Sequence, residues 1–379
     1  MGIKDIGDNV RRHMKIRGFT IKKLSDMTGV GTAALSNMLN GKAEPKSSTL
    51  LKLADALSVP FDELLADAPR LSSIRFRSAK TLSGREKAER DQVRHDSAIW
   101  LADYSFLEKV LDDKPACLLE PVCNKDPKVA AMSARETLGL KESEPVYDIS
   151  RLMEYAGIKL RLRPYGFKKT FGLSIGSEDG GPAIVVNSEP GISVERQVFT
   201  IAHELGHLIL HRDSYRDPEI IESKREEDEA NLFAGVFLVP DAGLANAWEE
   251  SRGLAFVDRV LRVKKIFKVS YKTILVRLAQ MNDTISLVDL VIRFSQDYKA
   301  KYQHDLKGHY EPESLGLEDE LVASEDPQEL DTGDLMEERF ARFVRNAYEK
   351  EIISMSRAGE MLNLSIEEMR TLVRTWREI

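Results

Sequence analysis

The run Phe199-Thr200-Ile201-Ala202-His203-Glu204-Leu205-Gly206-His207 holds two imidazoles and a carboxylate at a spacing suited to metal chemistry. His203 and His207 stand four residues apart, so on a helix they share one face. Two neutral imidazoles so placed can grip one divalent ion, zinc above all. The intervening Glu204 is then placed to take a proton from a water that the ion holds. That is the core of metal-dependent peptide hydrolysis. The same five residues also occur on ordinary surface helices, and here the flanks argue against that reading. Ile201, Leu205, Leu208 and Leu210 make the helix apolar and therefore buried. Buried imidazoles beside a buried carboxylate need a partner, because unpaired polar groups are costly in a dry interior. Gly206 lets another backbone or a substrate strand come close.

A catalytic zinc takes three protein ligands and keeps one position open. Asp213 follows His207 by six residues, but the elongated motif that would use it wants Gly where this chain has Leu210. His211 repeats the four-residue step. A further turn of one helix does not bend back to the same ion, so His211 reads as a surface or supporting histidine. The run Glu226-Glu227-Asp228-Glu229-Ala230-Asn231 is the better source. Glu227 and Asn231 share a face, so a carboxylate could bind the ion while the amide holds a ligand imidazole in place. Glu229 falls on another face, and only one of the three glutamates is needed.

These residues need elements to position them. Apolar spacing predicts a helix from about Val194 through the histidines and another over Glu226–Leu238, closed by Pro240. Before them, Asp148–Ala156 reads as a helix. Ile158–Leu162, Phe171–Ile175 and Ala183–Val186 read as strands, with Gly180-Gly181 as the turn between the last two. A small sheet beside the active-site helix would offer a substrate a strand edge. Residues 256–280 read as two helices joined at Val269-Ser270. Residues 311–338 are acidic and read as a loop, and the last 40 residues are helical. Ser356–Ser365 followed by Glu367–Trp376 has a helix–turn–helix shape without a basic surface, which favours docking or dimerisation.

Residues 1–66 read as about five short helices. Thr20 caps the second and Gly29 ends it, Asn40-Gly41 ends the third, Ser47 or Ser48 caps the fourth, and Pro60 opens the last. Residues 67–96 are rich in arginine (Arg70, Arg75, Arg77, Arg85, Arg90, Arg94) and read as a linker, with a helix following over Asp96–Leu111. Residues 112–146 give weak signals. The expected division is 1–66, 67–145 (basic linker and helical connector), 146–282 and 283–379.

The chain of 379 residues is long enough for two or three domains, and its net charge is −7. Residues 1–96 carry 18 Lys and Arg against 12 Asp and Glu. A basic front on an acidic body fits nucleic-acid contact at the front alone. Two cysteines, Cys117 and Cys123, make a disulfide framework improbable and imply a reducing compartment. With no secretory leader and no long apolar run, a cytoplasmic protein without membrane contact is expected.

Arg196–His211, followed by Glu227-Asp228-Glu229-Ala230-Asn231-Leu232-Phe233-Ala234 and Leu238-Val239-Pro240, resembles the ImmA/IrrE family of metallopeptidases; Ile184-Val185-Val186-Asn187 fits its preceding strand. The resemblance covers roughly residues 146–282. It implies a gluzincin-like zinc metalloendopeptidase with one Zn²⁺ per chain. It assigns His203, His207 and Glu227 as ligands, Glu204 as the catalytic base and Asn231 as support. It also implies a cleaved partner protein, a helix-turn-helix repressor of stress, mobile-element or DNA-damage genes. Tyr215 is a candidate oxyanion donor.

Residues 20–41 resemble the Xre (Cro/repressor-type) helix-turn-helix through Leu24, Gly29-Val30, Leu35-Ser36 and Asn40-Gly41. The resemblance implies a third helix in the major groove of double-stranded DNA, with Thr32, Ala33, Ser36 and Asn37 meeting base edges. Arg17, Lys22, Lys23, Lys42 and Lys46 are candidate phosphate contacts. Ile21 stands where such modules carry a glutamine, and the reading positions are small.

The expected fold is multidomain and mainly α with a small β-sheet. A five-helix helix-turn-helix bundle precedes an α+β zincin-like domain and a helical C-terminal region with an acidic loop. The expected function is a DNA-binding regulator whose zinc peptidase cleaves a repressor. The rival is a non-proteolytic transcription regulator or antitoxin whose metal site is structural or sensory. Single-stranded DNA on the arginine-rich segment as an activator, and a homodimer, complete the expected partners.

Overall fold

The computed structural model describes residues 3–65, 71–78, 84–122, 126–216, 223–282, 284–303, 305–306 and 335–377. The fold is mainly helical with one small sheet. The chain divides into two compact units: Met1–Arg70 with Arg94–Lys114 and Arg339–Ile379, and Leu71–Val93 with Pro115–Glu338.

The first unit opens with α1 (Ile3–Ile16), α2 (Ile21–Thr28), α3 (Thr32–Leu39), α4 (Ser47–Leu57) and α5 (Phe61–Leu65). Thr20 accepts from the Lys23 N–H at 3.2 Å and caps α2, and Gly29 ends it at φ 68°. Val10, Leu24, Leu35, Leu53, Leu57 and Leu64 interlock as its dry core. The cap of α4 differs from expectation. The helix begins at Ser47 itself, with Lys46 at the cap and no side-chain bond, because both serines already lie inside the first turn.

The segment read as a linker also differs. Ile74–Ser78 form a strand, β1, and α6 (Gly84–Leu111) begins well before Asp96. Ile74-Arg75-Phe76-Arg77 alternates apolar and charged, a strand period hidden by the arginines. Residues 84–95 are polar but hold no helix breaker after Gly84, so they extend the apolar helix behind them. Trp100 and Tyr104 of α6 stack edge-on at 5.6 Å, and Tyr104 meets Phe340 at 5.2 Å.

In the second unit α7 (Pro127–Thr137) arises where sequence signals were weak. Asp126 caps it and Pro127 opens its first turn. Next come α8 (Ile149–Tyr155), β2 (Lys159–Arg163), β3 (Thr170–Ile175), β4 (Ala183–Asn187), α9 (Val194–Leu210) and α10 (Lys224–Leu238). Then follow α11 (Asp241–Glu250), α12 (Phe256–Phe267), α13 (Tyr271–Met281) and α14 (Leu287–Tyr302). The sheet order is β1-β3-β4-β2. β2 runs parallel to β4, while β3 is antiparallel to both β4 and β1. Every residue of β4 is buried, and Ile184 and Val186 join the core beneath α9.

α15 (Arg339–Glu349), α16 (Met355–Leu362) and α17 (Ile366–Arg377) belong to the first unit, with Asn363 at φ 57° between the last two. Cys123 and most of the acidic 311–338 segment lie outside the described residues. Among the described residues, no helix is long and apolar enough to cross a membrane.

Candidate metal centre

Ser193 caps α9 by accepting from the Arg196 N–H at 3.3 Å, and α9 then carries His203, Glu204 and His207 into the core. α10 packs across it, and Gly206 makes the approach close: a Cβ there would lie 3.3 Å from Ala230 Cα. Two buried guanidiniums hold the far end of α10. Arg135 donates to Phe237 O at 2.6 Å and Arg277 to Val239 O at 3.0 Å, cations placed where the helix end is negative.

This packing brings Glu227 of α10 to the two imidazoles. His203 Nε2 and His207 Nε2 are 3.0 Å apart, and Glu227 oxygens lie 3.3 Å from the first and 3.2 Å from the second. Among the described residues these three form a group that could hold a metal ion, with donor atoms within 4.8 Å of one another. Ligands at about 2.0–2.1 Å from a tetrahedral zinc lie about 3.3 Å from one another, so the donor set fits that ion in chemistry and in spacing.

The other ring nitrogens are held as well. His203 Nδ1 lies 3.0 Å from Asn231 Oδ1, an acceptor, so this nitrogen carries the proton and Nε2 turns its lone pair to the cluster. His207 Nδ1 lies 2.9 Å from His211 Nδ1, and His211 Nε2 lies 2.9 Å from Glu229 Oε2. With His207 Nε2 unprotonated, the only consistent assignment is His207 Nδ1–H donating to His211 and His211 Nε2–H donating to Glu229. Burial holds His207 well below the ordinary histidine range and lowers His211 too, against the pull of Glu227 and Glu229 respectively. Both rings are therefore neutral, as metal ligation requires.

Glu204 is fully buried. Its Oε2 accepts from Ser174 Oγ at 2.6 Å, and Ser174 Oγ accepts from the Tyr215 hydroxyl at 2.6 Å. Burial raises Tyr215 far above its usual range, so it stays a phenol and a donor. The proton of Tyr215 thus goes to Ser174, and Tyr215 acts on Glu204 through that hydroxyl. β3 can run this close to α9 because residue 172 is glycine: a Cβ there would sit 2.5 Å from Thr200 Cγ2 and 3.2 Å from Glu204 Oε1.

Sequence reading did not place Ser174, Arg75 or the His211–Glu229 pair at the centre. Arg75 is almost wholly buried, donates to Glu226 and brings its other terminal nitrogen 3.5 Å from Glu227 Oε1. Ser214 donates to the other Glu226 oxygen at 2.6 Å. The strand period around Arg75 and the third histidine at a four-residue step were the available signals; Ser174 had none. Asp213 falls in the short turn Arg212–Arg216 after α9. An open cleft of about 1650 Å³, solvent at its mouth included, leads to Asn231 past Phe171, Phe199 and Asp228.

In the first unit, Thr32, Ala33 and Asn37 are exposed on α3 and Ser36 is half-buried. Lys22, Lys23, Lys42 and Lys46 are exposed around it. Arg17 turns instead to backbone, donating to His13 O and Ser58 O at 3.4 Å.

Residues 153–279 match the family described as the IrrE N-terminal-like domain, and residues 10–64 match the helix-turn-helix family. The chain is 32% identical over 73 residues to the HTH-type transcriptional repressor RghR of Bacillus subtilis (strain 168), covering 19% of this chain and 54% of that protein. It is 34% identical over 68 residues to the uncharacterized HTH-type transcriptional regulator RghRB of the same organism, covering 18% and 49%. The chain thus spans about half the length of these curated relatives. It carries a helix-turn-helix domain and an IrrE-like peptidase domain of metallopeptidase type.

Proposed function

We propose that this protein is a cytoplasmic regulator that binds double-stranded DNA through α3 and cleaves a partner, a helix-turn-helix repressor, with a zinc-dependent endopeptidase. The convergence of His203, His207 and Glu227 beside a buried Glu204 carries the reading. Zinc held by those three would polarise a peptide carbonyl and activate water. Glu204, steadied at Oε2 by Ser174, takes the proton of the attacking water and passes it to the leaving amine. Tyr215 keeps the Ser174 hydroxyl aimed at Glu204. Asn231 and His211 hold the two imidazoles so that Nε2 of each points into the cluster, where it would ligate the ion. Glu204→Gln should retain one zinc per chain by metal analysis while cleavage of the repressor drops about 10²–10⁴-fold. Cleavage at the wild-type rate would remove Glu204 from the mechanism.

The names of the two relatives favour a second reading, a transcription regulator whose metal site is structural or sensory. In that case Glu204→Ala leaves regulation intact, whereas loss of the basic front abolishes it. Single-stranded DNA as an activator on residues 67–96 predicts an electrophoretic shift that is lost when that segment is removed, and a shift unchanged after its removal would count against it.

A further inference from the structure

β1 lies ahead of the residues that match the peptidase family, yet it completes the sheet on the side that faces the centre. It pairs antiparallel with β3, the strand whose Gly172 and Ser174 touch Glu204. Arg75 stands opposite Ser174 in register. Gly176 N–H donates to Ser73 O at 2.9 Å, and alternation along an antiparallel ladder then makes Arg75 and Ser174 a hydrogen-bonded pair too. Cross-strand partners point to the same face, so the Arg75 side chain follows that of Ser174 toward the centre. There it meets Glu226 and reaches the Glu227 carboxylate. The register is pinned at its start, where Ser72 N and Oγ donate to Asp179 at 2.6 and 2.8 Å.

An extended segment hydrogen-bonded to the edge of a sheet beside the catalytic helix is how a peptide substrate is held by strand addition. We propose that β1 is an internal, substrate-like occupant of the edge of β3, and that Glu226 is the subsite for a basic side chain. The partner that is cleaved then presents an extended segment with an arginine over Glu226, and it must displace β1 to enter. This rests on the peptidase reading above. Glu226 suits the role: Ser214 orients it and its carboxylate does not join the two imidazoles. A tethered strand competes at the millimolar effective concentration typical of short links, so the peptidase is held back until a partner binds well enough to replace it.

The test uses the full chain in two variants. One replaces residues 74–78 by alternating Gly and Ser; the other, Arg75→Ala, keeps the backbone. A labelled peptide with the sequence of residues 72–79 reports the open edge without any metal. It should bind the replaced variant at least about tenfold more tightly than wild type, because the tethered competitor is gone. With zinc loaded, a peptide hydroxamate of sequence Ile-Arg-Phe should bind Arg75→Ala about tenfold more tightly than wild type, since a charge-assisted bond no longer holds β1 in place. That gain should vanish when Glu226→Gln is added. Equal peptide binding by wild type and the replaced variant overturns the proposal. So does hydroxamate binding that is unchanged or weaker in Arg75→Ala, which would make Arg75 a support for Glu227. If the labelled peptide binds as expected while no form retains zinc or binds hydroxamate, the peptidase reading falls and the occupied edge stands. Should the replaced variant fail to fold, amide exchange over Thr170–Ile175 decides: it should accelerate in Arg75→Ala, and unchanged protection overturns the proposal.

Discussion

The His203–His207–Glu227 cluster and the outer face of α3 both sit on helices, yet one is dry and the other is wet. At the cluster His203, Glu204 and His207 are at most 1% exposed, and ring nitrogens and the base alike are tied to neighbours: Asn231, His211 and Ser174. On α3, Thr32, Ala33 and Asn37 face solvent. In the dry site a polar group left without its partner pays its whole desolvation cost, so neighbours must be specified together. On the wet face water replaces a lost partner, and residues vary at little cost to stability. Single substitutions should therefore act strongly at the centre and weakly on α3.

Glu227→Ala would break the comparison most visibly. Zinc content should fall from one per chain to near zero, because two imidazoles alone leave the site a ligand short; zinc retained in full would mean that another acid holds the ion. Asn231→Ala acts one step out. Chelator competition should show zinc affinity lowered about 10–100-fold, and an unchanged affinity would leave the orientation of His203 to packing alone. Gly172→Ala sharpens the same contrast through packing. Its Cβ would collide with Thr200 Cγ2, so thermal unfolding should report a loss of about 1–3 kcal/mol. Lys42→Ala on the wet side should be the mildest: DNA affinity falls evenly across sequences and the slope of its salt dependence drops by about one. A sequence-selective loss there would make Lys42 a base reader instead.

The centre was more legible in the sequence than the elements around it. Histidines four apart in an apolar run state their own geometry, since the helix repeat places them together. α7 was missed although Asp126 and Pro127 mark its start, because a capped start without a strong apolar stripe competes with nearby loop residues. β1 escapes the sequence pattern because its two arginines match its two apolar residues in number, and one of those arginines is buried on Glu226, a partner far away in the chain. Ser174 gave no signal at all: a serine in a strand becomes a partner of Glu204 only when β3 crosses α9.

What the sequence alone determined were the local facts: the two-histidine face with its acid, the caps at Thr20 and Gly29, the alternation of β2, and the basic front. Tertiary structure alone decided that Ser174 meets Glu204, that Tyr215 donates to Ser174, and that Arg75 lies against Glu226. The reason is range. Helix repeat and strand pleat act over a few residues and leave a periodic trace, whereas contacts between distant segments depend on which faces pack and leave none.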